Sequence, residues 1–334
     1  MNQFARQYPR PAAWAVLLAF TVLYLSWGTT YLAIRIGVHD EHMPPCLFAG
    51  CRVASAGAIL LGYLCLRGQA RLRAGELLWV ALSGVLLFVF GNGGLTIAED
   101  KVASGTAAVL GATTPLWIGL IETFWPDGDR LTWRGWCGLF GGLAGVFLLV
   151  GGQLQSAVFG EIWAMALVLA SSLAWAVGSL VVRHRRHGKV HLAAAAYQMV
   201  IGGGALALAG LAVGEGSALA KGSLTLKGIE AFLYLLVVGS LLGFVAFNWL
   251  LSHVSAAMVG THAYVNPVIA ILVGWLLAGE PLAASLIAGM VVILAGVCLV
   301  RGGIKQPAPA RDAEASKQHA DPEPPVAAVD GVEF

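Results

Sequence analysis

Three groups of polar and aromatic residues stand at helical spacing inside otherwise apolar runs. His262 and Asn266 are four apart, with Tyr264 between them, and they lead directly into Pro267. Trp27, Thr30 and Tyr31 share one face of an earlier run, and Trp175 with Ser179 repeats that arrangement later in the chain. Thr114 precedes Pro115 in a fourth run, while Asn92, Asn248 and Arg52 are further polar groups within apolar stretches. Such a set suits reversible binding of a small amphipathic molecule by rings, hydroxyls and amides. It does not suit bond-breaking chemistry. No HExxH, GxSxG, DxxxD or Walker A motif occurs. The five cysteines, Cys46, Cys51, Cys65, Cys137 and Cys298, sit within or beside apolar runs and spell neither a zinc site nor a disulfide framework. No cofactor or metal is called for, and a net charge of +2 gives no reason to expect nucleic acid.

Individual residues carry more than one reading. A histidine, with an ordinary pKa near 6.5, suits a proton-coupled step, and His262 suits equally a neutral ring bonded to a neighbouring helix. Arg52, about 8 residues inside its run, can attract a substrate carboxylate or phosphate. It can also pair with Glu99 or Asp100, or snorkel outward, and Arg35 nearer the boundary reads as snorkelling. Trp117 reads as packing, and Glu122 as reaching the interface near Arg130 or Arg134. Pro267 removes one backbone donor, so the carbonyl of Ala263 loses its helical partner. In lipid such a break is tolerated only where protein or a water-lined cavity satisfies the freed group. Pro115 and Pro267, each lying at similar depth, are therefore expected to mark breaks that meet near mid-membrane.

The runs that carry these residues are membrane spans. Hydrophobic residues make up 58% of the 334 and charged residues 11%, against about 25% in soluble chains. Segments of about 20 apolar residues are needed to cross the bilayer. They fall at 14–37, 44–66, 76–97, 103–125, 132–151, 160–182, 191–213, 228–251, 255–278 and 282–300, numbered here as spans 1 to 10. The first, from Trp14 to Gly37, is too long for a signal-peptide core and reads as a retained anchor. Gly202, Gly203 and Gly204 weaken span 7 as a helix. With the N-terminus in the cytoplasm, fifteen lysines and arginines lie inside and four outside, so both termini are expected to be cytoplasmic. From residue 303 onward the composition turns to Pro, Ala, Glu, Asp and Lys, and 303–334 is expected to be a disordered cytoplasmic tail.

The halves echo each other. LAGVFLL at 143–149 returns as LAGVCLV at 294–300, Pro115 corresponds to Pro267, and Trp27 to Trp175. A duplicated unit of five spans inserts its second copy upside down because five is odd, which is the inverted-repeat plan of secondary transporters. The fold class is thus an all-α polytopic membrane protein, with repeats at 12–151 and 160–302.

WGTTYLAIRIG (27–37), SGTAAVLGATTPLW (104–117), the Gly-Glu-Pro of the second half and the five-plus-five order resemble the EamA-type members of the drug/metabolite transporter superfamily. That resemblance implies a bacterial inner-membrane carrier of ten helices, acting by alternating access on small metabolites, amino acids or drug-like compounds. Where the family has Gly-Glu after its fourth helix, this chain has Pro126-Asp127-Gly128-Asp129, whereas Gly279-Glu280 is kept. The departure suggests that the acidic position mainly shapes the turn. Gly138, Gly142 and Gly141, Gly145 form small-xxx-small pairs on span 5, serving close contact within the bundle or in a homodimer. The rival readings are a polytopic membrane enzyme, which would need a catalytic motif, and a receptor or scaffold, which does not require the inverted repeat.

Overall fold

A computed structural model describes residues 12–72, 74–125, 130–154, 159–185, 191–220, 224–254, 259 and 261–305. The tail beyond Lys305, the N-terminal Arg6 and Arg10, and Asp127 to Asp129 lie outside the described residues. Among the described residues nine helices are long and apolar enough to cross a membrane. They are Ala13–Asp40, Pro45–Leu66, Gly75–Ala98, Ser104–Phe124, Trp133–Gly152, Phe159–Val181, Leu192–Ala212, Leu226–Phe247 and Ala284–Gly302, and a shorter apolar helix, His262–Ala278, supplies the ninth in chain order. Large apolar side chains point outward around the bundle, including Leu17, Phe140, Phe147, Leu208 and Leu276. In water that coat would aggregate; against acyl chains it is the natural exterior.

Glycine seams hold the bundle together. Span 5 lies on span 10 so closely that a Cβ on Gly296 would sit 2.6 Å from the carbonyl of Gly138 and 2.5 Å from the amide of Gly142. Span 2 lies on span 7 in the same manner, a Cβ on Gly203 falling 2.5 Å from the amide of Ala54. With lipid as apolar as leucine, such backbone approach is what draws helices together. The span 5 glycines therefore serve the bundle: Gly138, Gly142 and Gly145 face Leu116 or span 10, while Gly141 has open space. In span 7 the glycine run does not break the helix, which continues from His191 to Ala212 with Gly203 in the seam and Gly202 against Gly84 of span 3.

The duplication shows in irregular places too. Span 3 widens to π-helix over Val85–Gly93 and span 8 over Leu235–Leu242, at corresponding positions of the two halves. Span 4 is interrupted at Ala112–Thr113, and Pro115 stands in the first turn of its second segment, Thr114–Phe124, where no donor is required. The carbonyl of Gly111, freed by Pro115, accepts from the Thr114 hydroxyl at 2.8 Å, and the Thr113 hydroxyl donates to the Leu110 carbonyl at 2.6 Å. Span 9 differs from expectation. Its helix runs unbroken through Pro267, and the turn lies earlier, at Thr261. Arg130–Leu131 pairs antiparallel with Ile304–Lys305, so the turn after span 4 and the chain after span 10 share one end of the bundle.

Candidate functional site

Span 1 presents Arg35, Tyr31 and Trp27 at successive turns of one face. Trp27 is enclosed by rings, its centroid 5.5 Å from Phe244, 5.2 Å from Phe247 and 5.0 Å from His262. Its indole Nε1 donates to the carbonyl of Gly239 at 3.1 Å. That carbonyl belongs to the π-helical stretch of span 8, where the widened turn loosens the regular backbone ladder. Phe244 reaches Phe88 at 6.1 Å, and Phe88 in turn meets Trp175 at 6.1 Å edge-on. One continuous aromatic row therefore runs from His262 on span 9 to Trp175 on span 6, joining both halves. Edge-to-face rings favour this geometry because the electron-poor ring edge meets the electron-rich face.

Beside the row lies Arg52, only 4% exposed. Its Nη2 donates to Asn92 Oδ1 at 2.9 Å and its Nη1 to Ser240 Oγ at 3.2 Å. Asn92 and Ser240 belong to the two π-helical stretches, one from each half, so a single guanidinium ties the repeats together. Arg52 is thus turned inward among polar side chains rather than snorkelling, and Asp100 pairs instead with Lys101 at 2.8 Å.

At the end where span 1 finishes, a cavity of about 730 Å³ opens between spans 1, 4, 8 and 9. Arg35, Asp40, Glu41, Lys227, Glu230, Tyr234 and Glu280 supply its polar lining. Two expectations are corrected there. Arg35 does not snorkel; its Nη1 donates to the carbonyl of Val102 at 2.7 Å and its Nε lies 3.4 Å from Glu280 Oε1. Glu280 does more than shape a turn. Gly279 adopts the left-handed conformation that ends span 9 (φ 65°), which aims the next side chain across the bundle. The Glu280 carboxylate then accepts from the backbone N–H of Ser104 at 2.8 Å, that of Gly105 at 3.1 Å and the Ser104 hydroxyl at 2.9 Å. An anion at the start of span 4 satisfies amides that no helix carbonyl can reach, and it meets the positive end of the helix dipole. This latch joins the halves at one rim.

The residues singled out in the sequence are only partly brought together. Trp27, His262 and Trp175 belong to the aromatic row, and Asn92 joins Arg52. Thr30 turns its hydroxyl back to the carbonyl of Trp27 at 2.7 Å, and Ser179 to that of Trp175 at 2.8 Å, so neither offers its proton to a neighbouring helix. His262 Nδ1 lies 3.0 Å from the carbonyl of Val259. The Tyr31 hydroxyl fits beside Gly111 at the span 4 interruption, near Thr114 and Pro115. Asn266 is buried beside Pro267, and its Oδ1 has no hydrogen-bond partner among the described residues. Asn248 lies on the helix Gly243–His253, and its side chain is outside the described residues. Trp117 donates to Ser172 Oγ at 3.0 Å. Glu122 is buried. Sequence reasoning named Glu99 only as a partner for Arg52, and missed Ser240, Phe88 and Phe244. No spacing signal set those three apart, because they stand among other apolar or small residues of their runs.

A helical bundle of two inverted halves, latched at one rim beside a cavity and joined by a row of rings deeper along span 1, has the build of a polytopic membrane carrier. The chain belongs to the EamA-like transporter family, whose model matches residues 13–151 and 162–302. It is 39% identical over 287 residues to the uncharacterized inner membrane transporter YedA of Escherichia coli, covering 85% of this chain and 90% of that protein. A probable terminal-alkyne amino-acid exporter of Streptantibioticus cattleyicolor is 27% identical over 292 residues, with 86% and 93% covered. A crystal structure of 21% identity superposes with a TM-score of 0.59 over 87% of this chain and 98% of that one, which shows a shared fold.

Proposed function

We propose that this protein is a secondary carrier of the bacterial inner membrane that exports small amphipathic metabolites, amino acids or drug-like compounds by alternating access. Substrate passes between the two repeats, 12–151 and 160–302, along span 1. It meets Tyr31, Thr30 and Trp27 from that span, Trp175 and Ser179 from span 6, and His262 and Asn266 from span 9. Both termini face the cytoplasm, so the Arg35–Glu280 rim is periplasmic. The observation that carries this reading is the pairing of an open cavity of about 730 Å³ at the Arg35 end of span 1 with an aromatic row about two helical turns deeper along that span, both built from the two halves. A path open at one end and shut at the next layer is what alternating access requires of one of its states. Inverted halves allow the complementary state by the same motion run backwards.

The test compares metabolites released by cells expressing the wild-type chain, a Trp27→Ala variant, or no copy. One or more small compounds should accumulate outside only with the wild type. Equal release by all three strains would remove the reading. The membrane topology is checked separately with reporters fused at Lys221 and after Lys305, which should report opposite sides.

A further inference from the structure

Glu99 closes the C-terminal end of span 3, one residue past its last helical position, and it is 0% exposed. Neither carboxyl oxygen has a hydrogen-bond partner among the described residues. The arginines nearby are largely committed elsewhere. Arg35 on span 1 gives its Nη1 to Val102 and its Nε to Glu280, and Arg52 on span 2 gives its two Nη groups to Ser240 and Asn92. The Arg52 Nε is left over, buried and without a hydrogen-bond partner among the described residues. Tyr31 is the titratable neighbour on span 1. Span 6 brings Ser171 and Leu167 to the preceding Gly94, and neither titrates. A carboxylate anion shut away from water with no donor on either oxygen is strongly disfavoured, whereas a neutral acid is tolerated.

We propose that Glu99 is the proton-binding site of this carrier, neutral while the Arg35–Glu280 latch is shut and ionised when the latch opens. The proposal rests on the carrier reading above and moves the proton step from His262 to a carboxyl. Arg35 is the connecting part: its Nε meets the Glu280 carboxylate at 3.4 Å and its Nη1 also approaches the backbone carbonyl of Glu99 at 3.5 Å, so one guanidinium reaches both residues. Loss of the proton to water at the rim places a negative charge beside Glu280, which repels it, and draws Arg35 away from it. The latch across spans 1, 4 and 9 is thereby weakened. Return of the proton restores it. Burial, seconded by Glu280, holds the Glu99 carboxyl well above the ordinary carboxylate range, against the opposing pull of Arg35 and Arg52.

The experiment uses the purified full chain and two readouts. The first is infrared difference spectroscopy, in which a protonated carboxyl absorbs apart from a carboxylate. At neutral pH the wild type should show a protonated-carboxyl band that vanishes on raising the pH. Glu99→Gln should abolish it, and Glu122→Gln, a control at another buried acid, should leave it. The second is the modification rate of a single cysteine at Ala103 on the cavity wall, in a background without native cysteines. Raising the pH should speed it several-fold more in the otherwise wild-type protein than with Glu99→Gln, whose amide mimics the neutral acid. A band absent from the wild type, or kept by Glu99→Gln, overturns the proposal, as does an identical pH response of the two cysteine proteins. The infrared result needs no transport. If no compound is exported but the band behaves as expected, the proton site stands and the carrier reading alone falls.

Discussion

Trp27 and Trp175 occupy equivalent places in the two halves, yet their surroundings differ. Each meets a phenylalanine of the other half's kind, Phe244 from span 8 for Trp27 and Phe88 from span 3 for Trp175. That much is the duplicated frame. Trp27 alone adds a hydrogen bond to a π-helical carbonyl and an edge contact with His262. The frame is thus symmetric where backbones touch and asymmetric where side chains gather. Alternating access needs the first property so that two states have similar energies. Recognition of an asymmetric molecule needs the second.

The largest effects should come from breaking the symmetric part. Gly296→Val and Gly203→Val each drive a side chain into facing backbone, and both should abolish accumulation of folded protein, read by size-exclusion profile in detergent. Gly141→Ala and Gly204→Ala meet open space and should stay within about 0.5 kcal/mol of wild type. If a seam valine were accepted on one side only, the seams would not be equivalent.

Glu280→Gln comes next. It removes the charge that holds Arg35 and the start of span 4, so a loss of about 3 kcal/mol is expected, in line with breaking one side of a mostly buried ion pair. Thermal unfolding in detergent measures it, and a wild-type melting temperature would mean the latch is incidental.

Trp27→Phe against Trp175→Phe isolates the asymmetry. The first loses its hydrogen bond to Gly239 and should fall by about 1 kcal/mol, with a reduced export rate. Trp175→Phe retains a ring against Phe88 and should change less on both measures. Equal losses would erase the distinction.

The smallest expected change is a slope. An acid whose pKa is raised on folding holds its proton in the folded state where the unfolded chain has released it. Stability must then fall as pH rises from the ordinary glutamate range towards the raised value of Glu99. Melting temperatures of the wild type should decline across that window, and Glu99→Gln should flatten the decline.

Much of the frame was legible in the sequence because long apolar runs, a twice-used LAG motif and paired tryptophans are local signals. Lipid enforces them, since each run has to satisfy its own backbone. Glycine at 138 and 142 announced close contact, though not with which partner, whereas Gly203 read only as a weak point of its helix. The site was less legible for a physical reason. The π-helical stretches shift the register of everything after them, so a spacing rule based on regular turns cannot place Asn92, Ser240 or Gly239. Pro267 misled because a proline within the first turns of a helix forfeits only one bond, and the chain had already turned at Thr261. Arg35 and Glu280 look like ordinary boundary charges until span 9 is brought against span 4, some 170 residues earlier in the chain.

The glycine seams also set an order of manufacture. When span 5 has entered the membrane, its partner, span 10, has not been synthesised, and span 2 must wait likewise for span 7. The ribosome therefore releases the first half with two grooves facing lipid and with Arg130–Leu131 lacking Ile304–Lys305. Neither half is expected to persist alone, and the closing helix is the last one made. Residues 1–155 expressed by themselves should be degraded, while the same piece co-expressed with 156–334 should be protected and co-purify. A stop codon anywhere before span 10 would then remove the whole protein, not its final helix.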